Sequence, residues 1–285
     1  MSEPDGSGSR SVSEPELPEP EIPRPEAELL STGPVRYERS GAAAVVSIDR
    51  PERRNAVDGP TAVALHEALV RFEREDEARA MVLTGTGGVA FCAGADLKAI
   101  GTFGERLMAK EGPMGFTRLT PSKPTIAAIS GFALAGGLEL ALWCDLRIAT
   151  EGSKLGYPER RWGVPLIDGG TQRLPRVVGL GRALDLILTG RIIGAGEAHT
   201  MGLLTEVVAE GEHLERAIEL ANNLARFPQR TMLADRRAAI AGLGMTMEEG
   251  LELESQAGPD VFLDAVEGAA RFASGEGRGG AGAGA

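Results

Sequence analysis

Residues Ala127 to Asp145 read AAISGFALAGGLELALWCD, and the rest of the chain is organised around them. The apolar run up to Ile129 predicts a buried strand. Gly131 and the pair Gly136–Gly137 then allow a sharp change of direction, after which Leu138 to Trp143 predicts a helix. A glycine pair opening a helix leaves backbone N–H groups free at its positive end, where negative charge is well held. Glu139 follows Gly136 by three positions, so the two look over nearly the same face. Leu138, Leu140, Ala141, Leu142 and Trp143 surround it with carbon, which predicts a buried carboxylate. From these residues alone, Glu139 is either a group held for chemistry or the buried partner of Arg147 or another base.

Three more segments stand around this one. Arg50-Pro51 with Asn55-Ala56-Val57 and then Phe91-Cys92-Ala93-Gly94-Ala95-Asp96-Leu97 precede it. Leu155-Gly156-Tyr157-Pro158-Glu159, leading to Gly169-Gly170-Thr171-Gln172-Arg173-Leu174, follows. With Ser130–Ala141 and Cys144-Asp145, they resemble the crotonase superfamily, the enoyl-CoA hydratase and isomerase group, in that family's order and over most of the chain. The resemblance implies an α/β fold, a crotonase (ClpP-like) spiral of ββα repeats with a C-terminal helical region. It also implies a homotrimer, or a homohexamer built as a dimer of trimers.

Composition sets the outer bounds. A chain of 285 residues, 42% of them hydrophobic, can bury a full core. A net charge of −11 argues against nucleic acid or an anionic membrane as partner. More than half of that charge is local, because residues 1–33 carry eight acids against two bases. Cys92 and Cys144 both lie in apolar or glycine-rich motif, which suits a reducing compartment without disulfides. No secretory signal is read at the start, so the cytoplasm is the expected location. His66, His199 and His213 lack ligand spacing, and no metal or separate cofactor is expected beyond the coenzyme A of the substrate.

Along the chain, residues 1–33 are rich in Pro, Glu and Ser and predict a disordered tail, as does the Gly/Ala-rich stretch 274–285. Between them lie a core at 34–208 and a helical region at 209–273. In the core, Val35–Glu38 and Ala43–Asp49 predict a strand pair turned at Ser40–Gly41, and Gly59-Pro60 opens a helix. Met81–Thr84 predicts a strand. The GxGxxA spacing from Gly85 imitates a dinucleotide fingerprint, but no amphipathic helix follows it. Gly101–Leu119 is ambiguous and reads as helical in part, its Phe103, Leu107, Met108, Met114 and Phe116 being either ordinary core or lid residues or a specific acyl pocket. Ile126–Cys144 is long enough for a membrane span, yet its glycines, Ser130 and Glu139 argue against one. Asp145–Ala149, Leu155–Gly156 and Leu204–Val208 predict strands, and Gly170–Val177, Gly181–Leu188 and Ala195–Met201 helices. In the helical region, Leu214–Arg226 shows one apolar stripe, and Thr246-Met247-Glu248-Glu249 reads as a capping box. Val261, Ala265, Ala269 and Phe272 suggest another helix after it.

The chemistry implied by the resemblance passes through the enolate of an acyl-CoA thioester, whose main need is a pair of donors aimed at the carbonyl oxygen. Those donors are the N–H groups of Ala95 and Gly136. Glu139 and Glu159 match the hydratase pair: Glu139 deprotonates water, and Glu159 protonates the carbon next to the carbonyl. The bland alternative for Glu159 is a surface acid pairing Arg160 or Arg161. Ala93, Asp96 and Leu97 belong to the segment that holds the adenine through its backbone. Lys98, with Arg53 or Arg54, meets phosphate or is merely solvated.

Two departures stand out. Val164-Pro165-Leu166-Ile167-Asp168-Gly169-Gly170 replaces a glycine-rich turn. Asp168 is therefore either a third acid beside the acyl group or an N-cap for the next helix. Ser274-Gly275-Glu276 stands where basic residues often meet the nucleotide, which weakens the hold on CoA or leaves it to Arg278. The implied activity is hydration of a 2-enoyl-CoA. The rivals are double-bond isomerisation, thioester hydrolysis or lyase chemistry using Asp168, and a silent acyl-CoA- or protein-binding member. Isomerases of the family lack the acid at the Glu139 position, so two glutamates favour hydration.

Overall fold

The computed structural model describes residues 33–275, so the two tail expectations concern residues that lie, apart from Gly33, Ser274 and Gly275, outside the described ones. The chain opens on an antiparallel pair, β1 (Val35–Ser40) and β2 (Ala43–Ile48). Asp58 then caps α1 (Gly59–Arg74), accepting from the Thr61 N–H at 2.9 Å, with Pro60 in the first turn where its missing N–H costs nothing.

From β2 onward the chain winds so that each turn leaves one strand in either of two sheets. β3 (Ala80–Gly85), β5 (Thr125–Ile129) and β7 (Leu146–Thr150) lie parallel in the larger sheet, flanked by β2 on one side and β10 (Glu206–Val208) on the other. β4 (Ala90–Cys92), β6 (Phe132–Leu134) and β8 (Lys154–Gly156) lie parallel in the smaller one, closed by β9 (Ile192–Gly194) antiparallel to β8. This is the spiral that the resemblance implies. Strands covered on both faces read as unbroken apolar runs, and β5 is buried along its whole length. The Gly85–Ala90 fingerprint imitation is the turn from β3 to β4, with no helix after it.

After β6 comes α2 (Gly136–Trp143), apolar on every side and buried from Gly137 onward. A Cβ on Gly137 would overlap the Cys92 carbonyl, so glycine there lets α2 seat directly on β4. Then follow α3 (Gly170–Val178), α4 (Leu180–Thr189) and α5 (Ala195–Thr200). α6 (His213–Leu224) buries Ala217 and Ala221 against Val45, Val82 and Ile126 of the larger sheet. α7 (Gln229–Gly242) is tied to the core by Arg236, which reaches both carboxylate oxygens of Asp145 at 2.9 and 3.0 Å.

Several expectations need correction. β4, β6 and β9 were not foreseen, because three residues beside glycine-rich turns show no period of two. Gly101–Leu119 holds no long helix, only 3-10 turns at Leu97–Phe103 and Glu105–Met108 followed by coil that buries Gly112–Thr117. The Thr246 capping box forms, but the two helices expected beyond it are one, α8 (Met247–Ala273), which runs through Pro259. Proline there forfeits one backbone bond on an exposed face, and the turns on either side still form. Ile126–Cys144 divides into β5, β6 and α2. Among the described residues no helix is long and apolar enough to cross a membrane.

Candidate active site

The end of β4 and the start of α2 meet at two glycines. Gly94 has φ +95°, and a Cβ placed on it would lie 2.8 Å from the Ala135 Cβ and 3.0 Å from Gly136 N. Only a residue without a side chain lets these segments touch, and the N–H of Gly136 stays uncovered as a result. Ala135, just before it, holds φ +53° and ψ −127°, a conformation that costs a non-glycine residue about 1–3 kcal/mol. It is fixed there by its N–H on the Gly156 carbonyl at 3.0 Å and by its own carbonyl, which accepts from Leu138 and Glu139. On the other strand, Val57 donates to Gly94 and accepts from Asp96, skipping Ala95. Neither the Ala95 nor the Gly136 N–H meets a backbone acceptor among the described residues. Two preset donors thus stand together, as an oxyanion requires.

Glu139 is buried one turn into α2, but not against Arg147. That arginine instead donates to the carbonyls of Leu203 and Cys144 at 2.6 and 2.7 Å. Glu139 Oε1 accepts from the N–H groups of Asp168 and Gly170 at 3.0 and 2.7 Å. Burial pushes its carboxyl up to about 8. The Gly170 donor opposes the shift, the Asp168 charge adds to it, the Asp168 N–H opposes it, and the Glu159 charge adds again. Glu159, in the 3-10 turn Pro158–Trp162, is buried as well, and neither of its oxygens has a hydrogen-bond partner among the described residues. The surface ion pair with Arg160 or Arg161 is therefore absent; Arg160 donates to the Ile187 carbonyl instead. Burial raises the Glu159 carboxyl to about 7, against the pull of its own N–H and of Arg160. Burial thus raises the proton affinity of both carboxyls towards neutral pH.

Asp168 is not the N-cap of α3; Gly169 holds that position without a side-chain bond. Its Oδ1 turns the other way, accepting from the Met114 N–H at 3.0 Å and from the Thr117 hydroxyl. Burial raises its carboxyl too, opposed by those two donors. Arg173 ties the same segments from outside, donating to the carbonyls of Asp168 and Thr117 at 2.9 and 2.5 Å. The buried 112–117 coil is thereby fixed over the site: a Cβ on Gly136 would meet Met114 Cε at 3.0 Å and Sδ at 3.2 Å. An open cleft of about 510 Å³, lined by Thr117, Arg118, Ile167, Gly169 and Arg173 among others, lies beyond this latch and includes neither glutamate.

The nucleotide segment is more mixed. Ala93 is half-buried, Leu97 and Lys98 are exposed, and Arg53 and Arg54 are exposed on the neighbouring turn, with the Arg54 guanidinium 6.0 Å from the Phe132 ring centroid. Asp96 is buried and engaged, accepting from the Lys98 N–H at 3.1 Å and pairing with Arg50 at 3.2 Å. Arg50 also pairs with Asp58 at 2.8 Å, which joins the segments around 50, 58 and 96. Among the described residues no three His, Cys, Asp or Glu side chains converge as metal ligands. Sequence reasoning passed over Arg50 as a clamp, Thr117 as a latch and Tyr157. The last was legible in principle, standing two residues before Glu159 in the quoted motif.

Comparison with known proteins agrees with this geometry. A family model described as enoyl-CoA hydratase/isomerase matches residues 38–274. The short-chain-enoyl-CoA hydratase of Clostridium acetobutylicum is 38% identical, with 80% of this chain and 89% of that protein covered. The crotonyl-CoA hydratase of Syntrophomonas wolfei is 36% identical, over 77% of this chain and 86% of its own length. The crystal structure of an enoyl-CoA hydratase from Mycobacterium tuberculosis superposes with a TM-score of 0.80 at 34% identity, covering 85% of this chain and 96% of that one. In sequence and in fold, the chain belongs to the enoyl-CoA hydratase/isomerase family of the crotonase superfamily.

Proposed function

We infer that this chain is an enoyl-CoA hydratase, adding water across the double bond of a 2-enoyl-CoA thioester. The observation that carries the reading is the pair of buried, proton-retaining glutamates beside two uncommitted backbone N–H groups. Glu139 takes a proton from water as the water oxygen bonds to the far carbon of the double bond. The displaced electron pair moves onto the thioester oxygen, which the Ala95 and Gly136 N–H groups stabilise as an enolate. Glu159 then gives its proton to the carbon beside the carbonyl, and the charge collapses back into the thioester. One proton enters the pair and one leaves it, so the glutamates finish by exchanging states. Ala93, Asp96, Leu97, Lys98 and Arg54 form the proposed CoA-facing segment, and Asp168 the acyl-side latch. No separate cofactor is part of this scheme.

Two further proposals belong with it. The apolar residues left exposed on α8 support assembly as a homotrimer or homohexamer through the region after Val208. The two buried free cysteines, Cys92 and Cys144, support a reducing, cytoplasmic setting.

The test is turnover of a panel of enoyl-CoA esters, followed by loss of the conjugated-enoyl absorbance. Hydration of at least one ester at a rate set by the glutamates is the expected result. Movement of the double bond without loss of unsaturation would favour the isomerase reading. Binding without turnover of any ester would favour a silent acyl-CoA-binding member.

A further inference from the structure

Resting on the hydratase reading, we propose that Tyr157 is a positioning residue, whose hydroxyl donates to ionised Glu139 and holds it as the base that takes the proton from water. The chain has two tyrosines, and they are placed differently. Tyr37 donates to Glu75 Oε2 at 2.5 Å. Tyr157 is almost wholly buried, and its hydroxyl has no hydrogen-bond partner among the described residues. A buried hydroxyl without a partner costs free energy that phenylalanine, of nearly the same shape, would avoid. The hydroxyl therefore has no structural reason to be there.

Its position supplies a chemical one. A Cβ placed on Gly170 would lie 2.7 Å from Tyr157 Oη and 2.9 Å from Glu139 Oε1, so the two oxygens converge on one point. The proposal has the Glu139 carboxylate rotate, or one water bridge, to join the two oxygens. The backbone places the phenol there firmly, because Tyr157 sits between β8 and the turn that carries Glu159. The chemistry needs such a donor. Burial favours the protonated form of Glu139, whereas its proposed role requires the ionised one, and the Asp168 and Gly170 N–H groups both bind only Oε1. A third donor adds to the carboxylate and vanishes as a cost whenever that charge is present.

The groups facing Tyr157 are Glu139 from α2, Glu159 from its own turn and Arg173 from α3, while Asp168 faces Glu139 from the segment before α3. Tyr157→Phe alters none of them, and so isolates the hydroxyl. The expected result has three parts: kcat for hydration falls about 10- to 100-fold with KM little changed; thermal stability stays the same or rises; and the acid limb of the rate profile moves to higher pH, because Glu139 loses a donor that favoured its charge. An unchanged kcat overturns the proposal. So does a fall in kcat with the acid limb unmoved, which would mark a role in packing alone. A substrate-free readout separates this inference from the function itself. A carbon-13 titration of the glutamate carboxyls should give Glu139 a higher proton affinity in Tyr157→Phe than in wild type. No difference there overturns the positioning role even if the wild type hydrates no ester, an outcome that would count against the hydratase reading instead.

Discussion

Around α2, the residues Glu139, Glu159 and Asp168 are 2%, 7% and 4% exposed, while on α8 Phe262, Leu263 and Phe272 are 65%, 67% and 65% exposed. The first region puts charge where carbon belongs, and the second puts carbon where charge belongs. Neither arrangement is stabilising for the chain by itself. Glu139 and Asp168 meet backbone N–H groups and a hydroxyl, Glu159 meets no partner among the described residues, and burial raises the proton affinity of all three against those donors. Among the described residues nothing covers Phe262, Leu263 and Phe272 of α8. Under the proposed function each region awaits a partner, a thioester for one and a second copy of the chain for the other. What differs is the currency: the active site stores its cost in proton affinity, the helix in exposed area.

The largest effect should come from removing the stored charge. Glu139→Gln and Glu159→Gln should each keep acyl-CoA binding and cut hydration about 100- to 10,000-fold, without adding in the double variant. Both carboxyls hold protons more tightly folded than unfolded. Their contribution to stability is thus whole below the ordinary value of 4.5 and is lost as pH rises through about 7 for Glu159 and about 8 for Glu139. The glutamine variants escape that loss. They should be more stable than wild type at pH 8, by up to a few kcal/mol for Glu139→Gln, and nearly equal to it at pH 5. Denaturant unfolding at the two pH values checks this. A variant destabilised equally at both would mean that the site carries no such stored cost.

The same contrast explains what could be read without coordinates. Glu139 was legible because its apolar neighbours and the preceding glycine pair are adjacent in sequence. The Ala95–Gly136 donor pair and Glu159 were legible only through ordered motifs, since nothing in local spacing brings residues 95, 136 and 159 together. The alternation of strands between two sheets was equally hidden: β4 and β6 are three residues each, too short for a pattern, and β8, though read as a strand, does not reveal its sheet. Asp168 was left between two roles, and the structure gives it another. Its acceptors point to a coil more than fifty residues earlier, which no capping rule could reveal. The exposure of α8 was likewise not readable from Val261, Ala265, Ala269 and Phe272, because an apolar stripe looks the same whether it faces the chain's own core or another subunit.

A smaller effect is expected at the other region. If α8 is covered by a second copy, replacing Phe262, Leu263 and Val266 together by Ser should dissociate the assembly. Each large apolar side chain buried there is worth about 1.5–3 kcal/mol. Sedimentation at micromolar concentration should then show monomers, with a lower thermal midpoint than the wild-type assembly. A wild type that is already monomeric would break the comparison, since the exposed face would then belong to the finished molecule.

The smallest effect should be at Asp168, the buried carboxylate that faces away from the water-activating pair. Asp168→Asn keeps an acceptor oxygen for the Met114 N–H and the Thr117 hydroxyl, so the 112–117 coil should stay in place and stability should change by about 1 kcal/mol or less. Its backbone N–H on Glu139 Oε1 is untouched. What disappears is a negative charge whose proximity raises the Glu139 proton affinity. The acid limb of the hydration profile should therefore move to lower pH, the reverse of the shift expected for Tyr157→Phe, with kcat at the optimum within about tenfold of wild type. Were Asp168 instead the acid that carries the reaction, Asp168→Asn would abolish turnover and Glu139→Gln would leave it nearly intact. One pair of pH profiles separates the two cases, because a latch and a proton carrier cannot both survive the loss of the same charge.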